Sequence, residues 1–84
     1  MIIVYDVKSE RNREVITFLR EHLHWIQNSV FEGDLTEAEY RKVKDNLSGI
    51  TDEGDSIVVY SFRSSKYVDK DTIGEEKGSS ERII

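Results

Sequence analysis

The 84-residue chain contains no cysteine and no proline. Without cysteine there is neither a disulfide framework nor a thiolate metal site, and nothing demands an oxidising compartment. Long hydrophobic runs are also missing. The longest apolar stretch, residues 1–5, is far short of the roughly 20 residues a membrane-spanning helix needs. The first residues lack the basic start and long apolar core of a secretory signal, so the expectation is a cytoplasmic protein with no membrane partner. Acidic residues outnumber basic ones. Twelve Lys and Arg face 17 Asp and Glu, a formal charge of −5. That balance argues only weakly against a nucleic-acid partner, because phosphate binding follows where Lys and Arg cluster rather than their sum. Gly33 and Gly54 stand at turns and form no phosphate-cradling loop.

The apolar residues that are present, 37% of the chain, fall into periodic blocks, which predicts one small ordered domain. A domain of this size buries only about 60% of the surface its unfolded chain exposes, a shortage that self-association would relieve. Residues 1–7 are rich in β-branched side chains and apolar on both faces, as in a buried strand. Ser9 or Asn12 is available to cap the helix that follows. In that helix Ile16, Leu19 and Leu23 form a stripe, widened by Val15 and Phe18. Residues 24–33 read as one bent strand or a short hairpin around Gln27, Asn28 and Ser29.

Thr36 and Glu39 have the spacing of a capping box, with Leu35 and Tyr40 placed as a hydrophobic staple. Tyr40, Val43, Leu47 and Ile50 continue that helix, with Gly49 as its stop. Residues 56–62 predict a second buried strand, and residues 67–73 a weaker edge strand. A polar tail over 74–84 ends in Ile83 and Ile84, a final segment suited to pairing with a sheet edge. The order predicts an α+β split β-α-β sandwich: a four-stranded antiparallel sheet with both helices on one face, plus a C-terminal pairing strand.

Asp6 is the most informative residue. A carboxylate within an apolar strand costs free energy unless it is paired or bound to a cation. It serves either as an acceptor for the following turn and helix N-terminus, or as a metal or catalytic group. One carboxylate is too few for a hydrolytic centre, but a two-fold dimer would present two. Two carboxylates and waters suit Mg²⁺, with Mn²⁺ as the alternative. Lys8, Arg11, Arg13 and Arg20 form a basic cluster near Asp6 in sequence, read either as a solvated helix face or as cations that hold a phosphate backbone. His22 and His24 have no third ligand at a supporting spacing. Ser29 lacks a recognisable base partner. Trp25, Phe31 and Tyr60 read as core or interface residues rather than stacking platforms.

Residues Val4, Tyr5, Asp6 and Val7, the segment WIQNSVFEGDL at 25–35, and DSIVVY at 55–60 together resemble the CRISPR-associated Cas-two family. The pattern Q-x-S-V-F-x-G, Gln27 to Gly33, is the most specific part. The resemblance implies a ferredoxin-like fold, a homodimer with swapped C-terminal contacts, and Mg²⁺-dependent endonuclease activity on RNA or double-stranded DNA. It also implies partnership with the Cas-one integrase, which the dimer would bridge while holding DNA during spacer acquisition. The family's metal and catalytic aspartate falls on Asp6. Tyr5, Ser29 and Phe31 match its other motif residues, and Lys8, Arg11, Arg13 and Arg20 are the candidate nucleic-acid contacts beside them. Some relatives carry a basic residue at the position of Trp25. A VapD-type ribonuclease toxin, which resembles the same fold, is the alternative.

Overall fold

The computed structural model describes residues 1–64 and 67–75. The predicted pairing segment at the end of the polar tail lies outside the described residues. The elements are β1 (Ile2–Asp6), α1 (Ser9–Arg20), β2 (His24–Gln27), β3 (Val30–Glu32), α2 (Glu37–Ile50), β4 (Ser56–Ser64) and β5 (Tyr67–Gly74). The five strands form one sheet in the order β2-β3-β1-β4-β5. Every pairing is antiparallel. The first four strands have the ferredoxin-like arrangement. The two readings of residues 24–33 resolve to the hairpin, which turns at Asn28 (φ 44°) and supplies two strands, β2 and β3, so that β5 is the strand beyond the ferredoxin-like four. Asn tolerates this left-handed backbone better than most residues.

Alternation along β1 decides the architecture. Ile3 and Tyr5 point to one face, where Phe31, Ile57, Val59 and Ile73 lie opposite them or one strand further. These residues are buried against Val15, Leu19 and Leu23 from α1 and its exit, and against Val43 and Leu47 of α2. The buried α1 stripe is centred on Val15, Leu19 and Leu23, with Ile16 and Phe18 at its margins, one residue displaced from the expected centre. Both helices cover the same face of the sheet. Ile2, Val4 and Asp6 point to the other face, which no helix covers.

The predicted capping box is formed. Thr36 Oγ1 accepts from Glu39 N at 3.1 Å, and Glu39 Oε1 accepts from Thr36 N at 2.8 Å. Those bonds, with Thr36, hold the Glu39 carboxyl below its usual range. Leu35 and Tyr40 both pack on the core. Two end signals differ from expectation. Gly49 lies inside α2, which ends at Thr51: its backbone turns extended (φ −73°, ψ 154°), and its hydroxyl and N–H both donate to Leu47 O. Neither Ser9 nor Asn12 caps α1. The N-cap is Lys8, without a side-chain cap bond, because a carboxylate from a distant turn takes over that end of the helix.

That carboxylate belongs to Asp55, fully buried at the start of β4. It accepts from Lys8 N (2.9 Å), Asp52 N (2.9 Å) and both Nε and Nη2 of Arg11. The Asp55 main chain is engaged as well, its carbonyl accepting from Glu75 N at 2.8 Å as β5 ends. Gly74 leaves the sheet there with φ 86°, and a Cβ on it would sit 2.4 Å from Asp55 O, so only glycine fits this crossing. A second clasp ties β5 to α2. Tyr40 Oη and Lys44 Nζ each donate to Asp71 Oδ2 at 2.7 Å.

Candidate nucleic-acid interface

The predicted site residues separate onto two sides of the sheet. Tyr5 and Asp6 are consecutive on β1 and therefore face opposite ways. Tyr5 is only 3% exposed beneath the helices. Its ring lies 6.0 Å from that of Phe31, and its N–H donates to Ser29 O at 3.1 Å. Burial pushes the phenol pKa up, against smaller opposing effects from Ser29 and from the positive charge of Arg20. Tyr5, Ser29 and Phe31 are thus brought together, with Phe31 fully buried, while Arg20 is exposed at the end of α1.

Asp6 is exposed at the carboxyl end of β1, opposite Ser56 on β4. It is not the buried acid that the apolar strand suggested, because the face it occupies is uncovered in a single chain. Register puts Val30 and Val58 beside Val4, Tyr60 beside Ile2, and Val68 beside Phe62 on this same face. Val4 (36%) and Phe62 (54%) are exposed. A bare sheet face therefore carries apolar residues along its centre and a carboxylate at one end.

The basic cluster is divided too. Lys8 is exposed in the turn after Asp6. Arg11 is held by Asp55 on one side, and its Nη1 is 3.5 Å from Glu10 Oε1 on the other. The structure thereby spends Arg11 internally, and this bidentate pairing holds the Asp55 carboxyl far below the usual carboxylate range despite burial. Arg13 lies on the exposed side of α1, in a groove with Glu10, Glu14, Phe18 and Asn46 from the two helices. His22 packs its ring 4.9 Å from that of Phe18, and His24 stands opposite Glu32, so the two histidines do not converge.

Sequence reasoning missed Asp55. The role first considered for Asp6, accepting hydrogen bonds from the turn and the next helix's N-terminus, is performed by Asp55 for Lys8 and Arg11. The available signal was the same one that drew attention to Asp6: an acid set directly against an apolar strand, here preceding Ser56 and Ile57.

Among the described residues, no group of three or more His, Cys, Asp or Glu side chains is placed to hold a metal. Mg²⁺ retains several waters and takes one or two carboxylates, so the exposed Asp6 fits it as one of two contributions from two copies. It does not fit as a complete set of protein ligands from one copy. Among the described residues, no helix is long and apolar enough to cross a membrane.

These features define a ferredoxin-like α+β domain with a bare sheet face and an acid at the end of its central strand. The sequence model of the family described as CRISPR associated protein Cas2 matches residues 1–70. A CRISPR-associated endoribonuclease Cas2 of Methanothermobacter thermautotrophicus is 46% identical over 85 aligned residues, covering 100% of this chain and 93% of the relative. Its counterpart of the same name in Pyrococcus furiosus is 47% identical, with 100% and 98% covered. A solved structure, described as a crystal structure of Cas2, superimposes with a TM-score of 0.73 at 40% identity, covering 99% of this chain and 94% of that one. The chain belongs to the Cas2 family.

Proposed function

We propose that this chain is a CRISPR-associated endoribonuclease that acts as a two-fold dimer, joined through the bare sheet face, with Asp6 of each copy at a shared metal. The observation that carries this reading is the position of Asp6. It is exposed at the rim of an apolar face on which Ile2, Val4, Val58, Tyr60 and Phe62 have no covering helix. Burying that face against an identical one adds apolar contact to a small core and brings the same patch to the axis twice. Two carboxylates then meet the donor requirement that one copy leaves unmet. Held by the paired Asp6 side chains, Mg²⁺ or Mn²⁺ would supply charge against a phosphate oxygen and a more acidic bound water.

The names of the relatives support RNA as the substrate. Family membership favours a CRISPR role over the VapD-type toxin. Within that role we extend the reading to duplex DNA held during spacer acquisition and to docking of the Cas-one integrase on the dimer.

The test is cleavage of single-stranded RNA and duplex DNA, with Mg²⁺ and with chelator, by wild type and Asp6→Ala in parallel, alongside sedimentation of both proteins. Expected are a dimer in both cases and RNA cleavage that needs both the metal and Asp6. Cleavage that survives in Asp6→Ala overturns the metal assignment, and a stable monomer overturns the shared site.

A further inference from the structure

Trp25, which the sequence reads as a core or interface residue rather than a stacking platform, lies outside both the core and the site described above. It is the chain's one tryptophan, 53% exposed on the edge strand β2. Its partner across the hairpin is Phe31, so it lies on the helix side of the sheet, opposite the face assigned to dimer contact. The indole is not loose. Its Nε1–H donates to the carbonyl of Asn28 at 3.0 Å, which pins the ring onto the hairpin turn. The polar edge of the ring is thereby satisfied within the turn, and its apolar area is left presented to solvent. Ile26, Gln27 and Asn28 around it are exposed as well.

Trp25, Phe31 and Tyr5 step inward across one face, the inner two closed off by the helices and only the outermost accessible. A fixed, solvent-facing aromatic plane with the exposed amides of Gln27 and Asn28 near it in the hairpin is an arrangement that receives an unstacked nucleobase. Ordering the ring beforehand lowers the entropic cost of such contact. Phosphate attraction is limited in a chain of net charge −5, which leaves stacking a larger share of the affinity.

We propose that Trp25 is a stacking platform for an unpaired base of single-stranded RNA. This deepens the endoribonuclease reading and rests on it: the hairpin edge, on the side away from the dimer face, selects single-stranded over duplex substrate.

Because the chain has one tryptophan, its fluorescence reports on this residue alone. The experiment titrates the full chain with a short oligoadenylate, the same backbone bearing abasic sites, and an RNA duplex. Binding of each labelled strand is followed independently by anisotropy, in chelator so that no metal-dependent cleavage intervenes. The expected result is strong quenching by oligoadenylate and little by the abasic strand or the duplex. Trp25→Ala should weaken oligoadenylate binding about 5- to 100-fold, and Trp25→Phe should restore most of it.

Oligoadenylate binding without quenching, and unchanged in Trp25→Ala, overturns the stacking role while leaving the RNA reading intact. No binding of any RNA overturns both. A quench that instead follows protein concentration, without RNA, assigns Trp25 to a contact between copies and overturns the proposal. Should Trp25→Ala lose its fold by circular dichroism, the wild-type quench and the Trp25→Phe variant still decide the question.

Discussion

Arg11 closes on Asp55 from 44 residues away, and the fully buried carboxylate it meets joins the start of α1 to the start of β4. The pair stands directly behind the turn that follows Asp6. Asp55 accepts four hydrogen bonds there, two from Arg11 and one each from Lys8 N and Asp52 N. Asp55→Ala removes all of them and leaves Arg11 without its main partner. The cost should be on the order of 3 kcal/mol, read as a lower urea midpoint with an unchanged slope. Asp55→Asn keeps the shape and one acceptor oxygen and should cost less. A wild-type midpoint in Asp55→Ala would mean that the turn holds itself.

The same carboxylate sets a pH dependence. Its folded pKa lies well below the ordinary value of 3.8, chiefly because Arg11 donates to it and its positive charge favours the anion. A group with a depressed folded pKa contributes stability that is fully present above the unfolded value. That contribution is lost progressively as pH falls toward the folded one. Stability should therefore be flat near neutrality on this account and decline from about pH 4 downward. Asp71, lowered by Lys44 and Tyr40, adds in the same direction from a more exposed position. Thermal melts between neutral pH and strongly acid pH should fall more steeply for wild type than for Asp55→Asn, which has no proton to take up at that site. Parallel curves would show that Asp55 is not the acid-sensitive group.

Much of the fold was legible because it follows from short-range rules. The Thr36–Glu39 box, the α2 stripe of Val43 and Leu47, and the apolar alternation around Val59 each depend on residues within a turn or a strand pair of one another. The long-range features were harder to read. A buried acid reveals its partner only when the chain has closed, and nothing in the spacing links Arg11 to Asp55. Asp6 shows the converse difficulty. Its apolar neighbours suggested burial, yet a strand apolar on both faces is equally consistent with one face packed on helices and the other left for a second molecule. The residues that the family resemblance grouped with Asp6 are grouped by motif match, which does not say which side of the sheet each occupies. The pleat then sends Tyr5 and Phe31 beneath the helices and Asp6 to the opposite side.

That division gives Phe31 a role separable from substrate contact. Its ring is fully buried beside Tyr5 and opposite Ile3. Phe31→Ala should destabilise the chain by about 3 to 5 kcal/mol through lost burial and the cavity left behind. Phe31→Leu should retain most of the stability, and whatever fraction is folded should bind RNA as wild type does. A folded Phe31→Leu protein with sharply weaker RNA binding would place the ring in the interface and count against the burial described here.

The dimer reading makes a quantitative demand on Asp6 that point mutation alone does not address. If the reacting phosphate is served by one carboxylate from each copy, a mixed dimer of wild type and Asp6→Ala should be inactive. After subunit exchange at fixed total protein, activity then falls as the square of the wild-type fraction. If one carboxylate suffices, the mixed dimer keeps part of its activity and the decline approaches linearity. Val4→Arg supplies the complementary arm. It shares the bare face with Asp6 but is not itself an acid, and a charge there opposes burial of the face. The variant should sediment as a folded monomer, with wild-type circular dichroism and without metal-dependent cleavage. Activity from a monomeric Val4→Arg chain would show that a single Asp6 organises the chemistry, and a linear mixing curve would say the same by an independent route.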